Sequence, residues 1–168
     1  GDTPSTGNMG SVRIFKNLSG VWTQIGENIS GNEFNNNDRF GSPLCLSADG
    51  NIIAISARKS DVNGLESGQV RLYKNILGVW TQIGVDINGE AIGDLSGIGL
   101  SLSSDGNRVA IGAYGNDGNG NTSGHVRVFD LSGILSSDSF VLANFSVYPN
   151  PASSMVTITL QEGLLLEK

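Results

Sequence analysis

The chain has 168 residues, of which 24 are glycine and only 15% are charged, and its formal net charge is −6. This length is enough for one ordinary domain with a core, and the abundant Gly and Asn suit turns and strands more than helices. The few scattered Lys and Arg exclude a nucleic-acid partner, and no apolar run approaches the roughly 20 residues that would span a bilayer. A single cysteine, Cys45, excludes an intrachain disulfide and a multi-cysteine metal site.

Two long internal matches organise residues 1–133. The segment GSVRIFKNLSGVWTQIG begins at Gly10, and the closely similar GQVRLYKNILGVWTQIG begins at Gly68. The block 41–74 matches the block 97–130 without a gap. The repeat length is therefore about 58 residues in the first match and about 56 residues in the second, which is typical of propeller-type arrays.

Each repeat contains four segments that alternate apolar and other residues with a period of two, which predicts four antiparallel strands. In the complete copy these are 41–47, 51–57, 68–74 and 79–84. Asp49-Gly50, between the first two, is a strong hairpin signal. The preceding copy has only its third and fourth strands, and the following copy has its first three. Those five strands are predicted at 12–16, 21–26, 100–103, 108–113 and 125–130.

Four-stranded units arranged radially form a β-propeller, which usually takes four to eight blades to close. We therefore predict an all-β fold with a partial β-propeller of about two and a quarter blades. It divides into a partial repeat at 1–37, a full repeat at 38–93 and a partial repeat at 94–133. Such a segment is expected to be part of a longer chain. Each VWTQIG strand carries one Trp, Trp22 or Trp80, and this repetition favours packing between blades over stacking on a ligand.

The repeat resembles the FG-GAP or integrin-type blades of large extracellular proteins of bacteria. Phe40-Gly41 followed by LCLSADGNIIAISA, and the segment 97–113 in the next repeat, match the opening Phe-Gly and the closing Gly-Ala of that motif. In that family the first hairpin of a blade carries several carboxylates and binds calcium. Here the hairpins are short, at 48–51 and 104–107, with one carboxylate each. Calcium needs roughly six to eight oxygen ligands, so we do not expect it there.

The loop between the second and third strands of the last repeat, 116–123, is richer in oxygen ligands. Asp117, Asn119 and Asn121 stand at alternate positions and resemble the start of an EF-type loop, which makes them the calcium candidate. The later bidentate Glu of such loops is missing. The alternative is a Gly/Asn loop that requires positive φ angles and binds no ion. No other cofactor is expected.

The repeat pattern stops after Gly133, and a Ser-rich stretch predicts a linker at 134–143. Alternation then predicts two strands, 145–148 and 155–160, on either side of a rigid Pro-Asn-Pro turn. Residues 144–168 resemble the opening of the C-terminal sorting domain of type IX secretion substrates, a small β-sandwich. The sorting motif of that family, Tyr-Pro-Asn-Pro, corresponds here to Tyr148, Pro149, Asn150 and Pro151. The alternative is a proline-containing loop between two ordinary strands.

The sorting-domain resemblance implies partners and a location. The partners would be the type IX secretion machinery and its sortase. The protein would be secreted or held on the outer surface of a Gram-negative bacterium. Only about the first two dozen residues of such a domain are expected within this sequence, so the domain would be truncated here.

Candidate catalytic residues do not form a set in the sequence. His125 aligns with Gln69 of the preceding repeat, which favours a solvated strand residue over a general base. Cys45 is expected to be a small buried side chain. Ser104 and Asp105, with His125, supply the letters of a catalytic triad, but the first two lie in a predicted turn. We therefore expect a protein that is not an enzyme.

An arginine recurs once per repeat, at Arg13, Arg71 and Arg127. These residues could line a binding face, but packing of the aliphatic stem on an aromatic neighbour is the favoured role.

These observations favour a secreted or cell-surface repeat protein that binds or adheres to an extracellular protein or glycan through propeller loops. Two alternatives stay open. The propeller could be an accessory module of a secreted hydrolase whose catalytic domain lies outside this sequence. It could also be a structural surface-layer or filament component that associates with itself. The ligand cannot be deduced from the scaffold.

Overall fold

A computed structural model describes residues 10–31 and 37–135, together with the backbone of two strands at 145–148 and 157–160. The chain divides into two compact units, 1–134 and 135–168. Apart from one short helix, every regular element among the described residues is a β-strand, arranged in small antiparallel sheets. The expected all-β class is therefore confirmed.

The first repeat forms an interrupted hairpin. Strand β1 (Ser11–Val12) pairs with β4 (Ile29–Ser30), and between them β2 (Phe15–Leu18) pairs with β3 (Val21–Gln24). A hydrogen bond of 2.9 Å from Ile25 N to Ile14 O bridges the interruption. The predicted strand at 12–16 lies in this hairpin with a break at residues 13–14, and the one at 21–26 ends early, at Gln24.

The second repeat forms a complete four-stranded sheet in the predicted order. Its strands are β5 (Phe40–Leu46), β6 (Ile52–Ala57), β7 (Gln69–Ile76) and β8 (Val79–Asn88). The pairing of β7 with β8 shifts register between Val70 and Leu72, so Arg71 stands opposite extra residues of β8. The break in the first repeat falls beside the corresponding Arg13, so this irregularity is a repeated bulge.

The third repeat has three strands, β9 (Gly99–Leu102), β10 (Arg108–Ala113) and β11 (His125–Asp130), in the order β11-β10-β9. After β11 the chain forms the helical turn α1 (Ser132–Leu135) in the place of a fourth strand. Ile134 of α1 lies against the preceding sheet, since a Cβ on Gly84 would be 2.9 Å from Ile134 Cδ1. Within the described part of the chain, β11 therefore pairs only with β10.

The cores lie between successive repeats. We call the face of a sheet that meets the preceding repeat its near face and the opposite one its far face. Side-chain alternation puts Ile53 and Ile55 on the near face of the second sheet, and Ala54 and Ser56 on the far face. The near-face core is shared with the first repeat and consists of Val12, Ile29, Phe40, Ile53, Ile55, Ala57 and Tyr73. The second core joins the second and third repeats and contains Val70, Leu72, Val109, Ile111 and Ala113, all buried.

Close backbone contact joins the second and third repeats. Strand β9 lies beside β5 and β6, and Ala48 N donates to Ser104 O at 2.9 Å across the two turns. Gly97, with a φ of 93°, lies so close to Ser56 that a Cβ would overlap the serine hydroxyl and lie 2.9 Å from Val70 Cγ2. Only glycine fits this joint.

The second compact unit contains a backbone hairpin at the predicted place. Strands β12 (Phe145–Tyr148) and β13 (Thr157–Leu160) pair antiparallel, with Phe145 opposite Leu160 and Tyr148 opposite Thr157. The predicted turn residues Pro149, Asn150 and Pro151 and most of the predicted linker lie outside the described residues. The sorting-domain assignment therefore stays a prediction.

Candidate functional site

The short turns between the first and second strands are closed by their own aspartate. Asp49 Oδ1 accepts hydrogen bonds from Ser47 Oγ at 2.5 Å and from Asn51 N at 3.0 Å. These bonds, above all that from Ser47, hold the pKa of Asp49 below its ordinary value of 3.8. The counterpart in the third repeat, Asp105, makes the same set of hydrogen bonds. Both carboxylates are therefore engaged within their turns.

The loop between the second and third strands of the complete repeat, 60–67, is held by hydrogen bonds at both ends. Asp61 Oδ1 accepts from Glu66 N at 2.7 Å and closes the loop on itself. Asn63 Nδ2 donates to Gly89 O at 2.8 Å and fastens the loop to the segment after β8. The loop thus has a fixed backbone.

The corresponding loop of the third repeat, 116–123, contains the calcium candidate. Asp117 Oδ1 accepts from Thr122 N at 2.6 Å, the same bond as in the preceding repeat. Asn119 and Asn121 are exposed on this loop, and Thr122 has a φ of 48°. The three candidate residues share one loop, but one oxygen of its single carboxylate already closes that loop. The structure therefore gives Asp117 a role in loop geometry, and calcium binding stays a prediction.

Three exposed apolar side chains lie together on the loops of the complete repeat. Val62 and Leu65 lie on the loop that contains Gly64, and a Cβ on that glycine would overlap Ile92 Cγ1 and lie 3.2 Å from its Cδ1. The exposed fractions are 48% for Val62, 66% for Leu65 and 70% for Ile92. Gly93 N donates to Leu65 O at 2.9 Å and holds the two loops together. We call Val62, Leu65 and Ile92 the loop patch, which sequence periodicity did not predict because these residues belong to no strand.

A polar cavity adjoins the loop patch. Its volume is about 380 Å³, and it is lined by Asn37, Asp38, Arg39, Lys59, Asp61, Leu65 and Glu66. Lys59 and Glu66 form an ion pair on its wall. Leu65 therefore borders both an apolar surface and a charged one, an arrangement that suits recognition of a ligand with both kinds of group.

A buried aspartate organises the joint between the second and third repeats. Asp94 is 1% exposed, and its carboxylate accepts from Glu90 N at 3.2 Å, Ala91 N at 3.0 Å and Asn116 Nδ2 at 3.2 Å. Asp38, also buried, stands at the same position of the preceding repeat. The recurrence of this aspartate was the sequence signal that could have identified it.

His125 lies beside this joint and is not the solvated residue that the sequence predicts. Its side chain is 23% exposed, and Nδ1 lies 3.6 Å from Glu90 Oε2. Arg127 Nη1 lies 3.5 Å from the other oxygen of Glu90. One atom of each of Glu90, Asp94 and His125 that could ligate a metal ion lies within 4.8 Å of the other two. Because Asp94 already accepts several hydrogen bonds and Glu90 is paired with Arg127, we interpret this cluster as a structural ion-pair network.

The letters of a catalytic triad are not brought together. Ser104 and Asp105 lie in the turn before β10, whereas His125 pairs with Ala113 at the other end of that strand. A strand of this length separates its ends by roughly 16 Å. Cys45 is half-buried, and burial raises the pKa of its thiol, which disfavours the reactive thiolate.

The recurrent arginine makes contacts within its own repeat, and Arg127 also reaches the preceding repeat, where its Nη2 donates to Asn88 O at 2.7 Å. The guanidinium groups of Arg13 and Arg127 lie 5.8 and 5.5 Å from the ring centroid of the aromatic residue two positions later. Arg71 forms an ion pair of 3.0 Å with Asp86 of β8. The ring contacts of Arg13 and Arg127 agree with the packing role that the sequence favours, and Arg71 is held by its ion pair.

Trp80 packs between the first and second repeats, as predicted. It lies against their shared core, and its Nε1 donates to Ile25 O at 2.9 Å. A Cβ on Gly26, the last residue of the first VWTQIG segment, would be 2.9 Å from Trp80 Cδ1. Trp22 is 68% exposed, since no preceding repeat lies against it among the described residues. A groove of about 550 Å³ runs beside Trp80, lined also by Tyr73 and residues 26–30.

No family model matches this chain, and no curated protein matches it. The resemblances to FG-GAP blades and to the type IX sorting domain therefore stay predictions. The helix α1, with four residues, is far too short to cross a membrane, and the described residues contain no longer helix.

Proposed function

We propose that this chain is the propeller-type scaffold of a secreted or surface-displayed protein that is not an enzyme and that binds an extracellular protein or glycan through its loops. The loop patch carries this proposal. Val62, Leu65 and Ile92 expose large apolar side chains on loops whose backbones are fixed by hydrogen bonds. A fixed loop loses little conformational entropy on binding, so its exposed apolar area is available for affinity.

The loop frame is constant between repeats, whereas the residues at its tip differ. Asp61 and Asp117 close their loops with the same hydrogen bond. Val62 and Leu65 are replaced by glycine and asparagine, at Gly118 and Asn121, in the next repeat. A repeat scaffold can vary what it recognises in this way without a change of fold.

Two features of the packing support a propeller arrangement. Successive sheets pack face to face, and the first strands of neighbouring repeats, β5 and β9, lie beside each other, as strands around a common axis would. Further blades of the same kind would complete such a ring. We assign no catalytic role, because His125, the one histidine of the chain, lies at the opposite end of its sheet from Ser104.

Binding can be tested with the purified chain on a printed glycan array and on immobilised mucin and collagen. We expect saturable binding to at least one of these probes, weakened at least tenfold by Leu65→Asp. Leu77→Asp is the matched control, because Leu77 is fully exposed on the β7–β8 hairpin, away from the loop patch. If no probe binds the chain more tightly than it binds Leu65→Asp, the binding proposal is wrong.

We also propose export by the type IX route, with Tyr148, Pro149, Asn150 and Pro151 as part of the signal that the machinery and its sortase read. The support is the antiparallel hairpin of β12 and β13, in the strand–turn–strand order of the sorting domain. A reporter can be fused to the tail that the gene encodes from residue 144 onward, in a bacterium with this system. We expect the reporter outside the cell. Retention in the periplasm would contradict the export proposal.

A further inference from the structure

The outer edge of β11 corresponds to an edge that is occupied in the complete repeat. When the third repeat is aligned with the second, β11 is the counterpart of residues 69–74 of β7. The outer edge of β7 pairs with β8, whereas β11 pairs only with β10 within the described ranges. After β11 the chain turns into α1, and Ile134 lies against the second sheet. Strand β11 therefore resembles β7 in sequence, but within the described ranges its outer edge is not paired with a fourth strand.

Two valines of β11 are exposed where their counterparts are buried. Val126 and Val128 are 67% and 63% exposed, against 0% for Val70 and 2% for Leu72. The far face of the second sheet is covered in part by the third repeat, at Gly97. The fourth strand contributes as well, since β8 places isoleucines directly opposite both buried residues. An added strand would cover part of this exposed apolar surface.

A buried polar atom gives an independent indication. His125 Nε2 is buried and has no hydrogen-bond partner among the residues that the structure describes. Its counterpart in the complete repeat, Gln69, donates from Nε2 to Oδ1 of Asn88, the last residue of β8, at 2.8 Å. Buried polar atoms are nearly always paired. A strand that ends in asparagine would bring an amide to the place where His125 lacks a partner.

We propose that the outer edge of β11 binds an added β-strand with the side-chain pattern of the second part of β8. The occupant is a separate polypeptide segment that carries the QIGVDIN pattern of residues 82–88 and pairs antiparallel to β11. The tryptophan part of β8 is not included, because Ile134 already lies beside Gly84, where that ring would pack. Its isoleucines, at the positions of Ile83 and Ile87, lie beside Val128 and Val126, and its terminal asparagine lies beside His125. Strand addition at an open sheet edge is an established mode of peptide recognition. This inference does not depend on the ligand of the loop patch.

The test uses the whole 168-residue chain and a synthetic peptide with the sequence of residues 82–88, QIGVDIN. Calorimetry measures affinity, and amide spectra of the ¹⁵N-labelled chain locate the site. We expect saturable one-to-one binding, shifts of the amides of His125–Asp130, and at least tenfold slower hydrogen exchange at those amides. A scrambled peptide of the same composition should not bind.

Substitutions then separate this edge from the rest of the surface. Val128→Asp should weaken binding of the peptide at least tenfold. The unfolding midpoint of this variant should equal that of the unsubstituted chain, because Val128 is exposed. Val85→Asp, at a valine of β8 that is 85% exposed, is the matched control and should bind the peptide normally. A peptide in which both isoleucines are replaced by aspartate should bind as weakly as the scrambled one.

Three outcomes would overturn the proposal. The first is no saturable binding of the peptide, and the second is equal binding of the scrambled peptide. The third is a chain that sediments as a dimer with β11 protected and is not dissociated by the peptide, which would make a second copy the occupant.

Discussion

The second and third repeats share one sequence pattern over residues 41–74 and 97–130, but their sheets have different surroundings. The second sheet is buried on both faces, with Ile55 on the near face and Val70 on the far face, each 0% exposed. The third sheet is buried on its near face alone, where Ile111 is 1% exposed, while Val126 on its far face is 67% exposed. In this fold the burial of a far-face residue is therefore decided by the next repeat and the fourth strand.

The largest effect that tests this comparison is expected at the joint of the two repeats. Gly97→Ala places a methyl group against Ser56 and Val70 and forces an L-residue to a φ of 93°. We expect a loss of about 3 kcal/mol or more in the free energy of unfolding, from overpacking together with backbone strain. Gly20→Ala is the control, since Gly20 has the same φ and no atom within 4 Å of the added Cβ. It should lose only about 1 to 2 kcal/mol. Equal losses in urea denaturation would mean that the joint is not tightly packed.

A smaller effect is expected when a far-face valine of the second or third sheet is shortened to alanine. Val70→Ala should lower the free energy of unfolding by about 2 to 3 kcal/mol, because buried methyl groups are lost and a cavity remains. The same substitution at Val126 should change it by less than about 0.5 kcal/mol. Urea denaturation of both variants gives the comparison. A cost at Val126 close to that at Val70 would show that the far face of the third sheet is covered.

A third, weaker effect is a dependence of stability on pH. Hydrogen bonds from Ser47 and Ser103 lower the pKa of Asp49 and Asp105 from the ordinary value of 3.8. A carboxylate with a lowered pKa contributes stability that is complete above its ordinary pKa and is lost as the pH falls through the lowered value. The thermal midpoint should therefore decrease as the pH is lowered below about 4. The decrease should be smaller in the Asp49→Asn, Asp105→Asn double variant. Since the two turns have the same hydrogen bonds, the single variants should each remove a similar share.

The smallest effect is expected from calcium. Asp117 is the one carboxylate in the candidate loop 116–123, and its Oδ1 already accepts from Thr122 N. With so few free carboxylate oxygens the loop should bind little calcium, and only a bound ion stabilises the folded state. We therefore expect millimolar calcium to shift the thermal midpoint by less than about 1 °C. A clear shift that Asp117→Asn abolishes would establish the calcium site instead.

The alternating pattern was sufficient to predict the strands of the two later repeats. Strands β10 and β11 lie at the predicted positions, 108–113 and 125–130, since each is bounded by turn residues and alternates without interruption. Strands β1 to β4 were predicted less well, because a bulge beside Arg13 interrupts the ladder without changing the alternation.

Contacts between repeats were harder to predict, because strand periodicity gives the face of a residue and not what covers that face. The prediction that His125 is solvated was wrong for this reason. Its counterpart Gln69 is 4% exposed, so the position belongs to a joint between repeats. Asp94 and the loop patch lie in loops, where no periodic signal exists, and only the recurrence of aspartate at Asp38 and Asp94 could have indicated a shared role.

The contact of Gly26 with Trp80 has a consequence for how such an array changes length during evolution. The ring of Trp80, in the second VWTQIG segment, packs on the first repeat, and the first segment ends in Gly26, which leaves room for that ring. Since the segment has the same sequence at 21–26 and 79–84, each VWTQIG copy encodes both the ring and the glycine of such a joint. Duplication or loss of a whole copy in the gene would leave each remaining joint chemically complete. Where the series of tryptophans stops, Ile134 takes the place beside Gly84, so a single aliphatic side chain is enough to close the last joint.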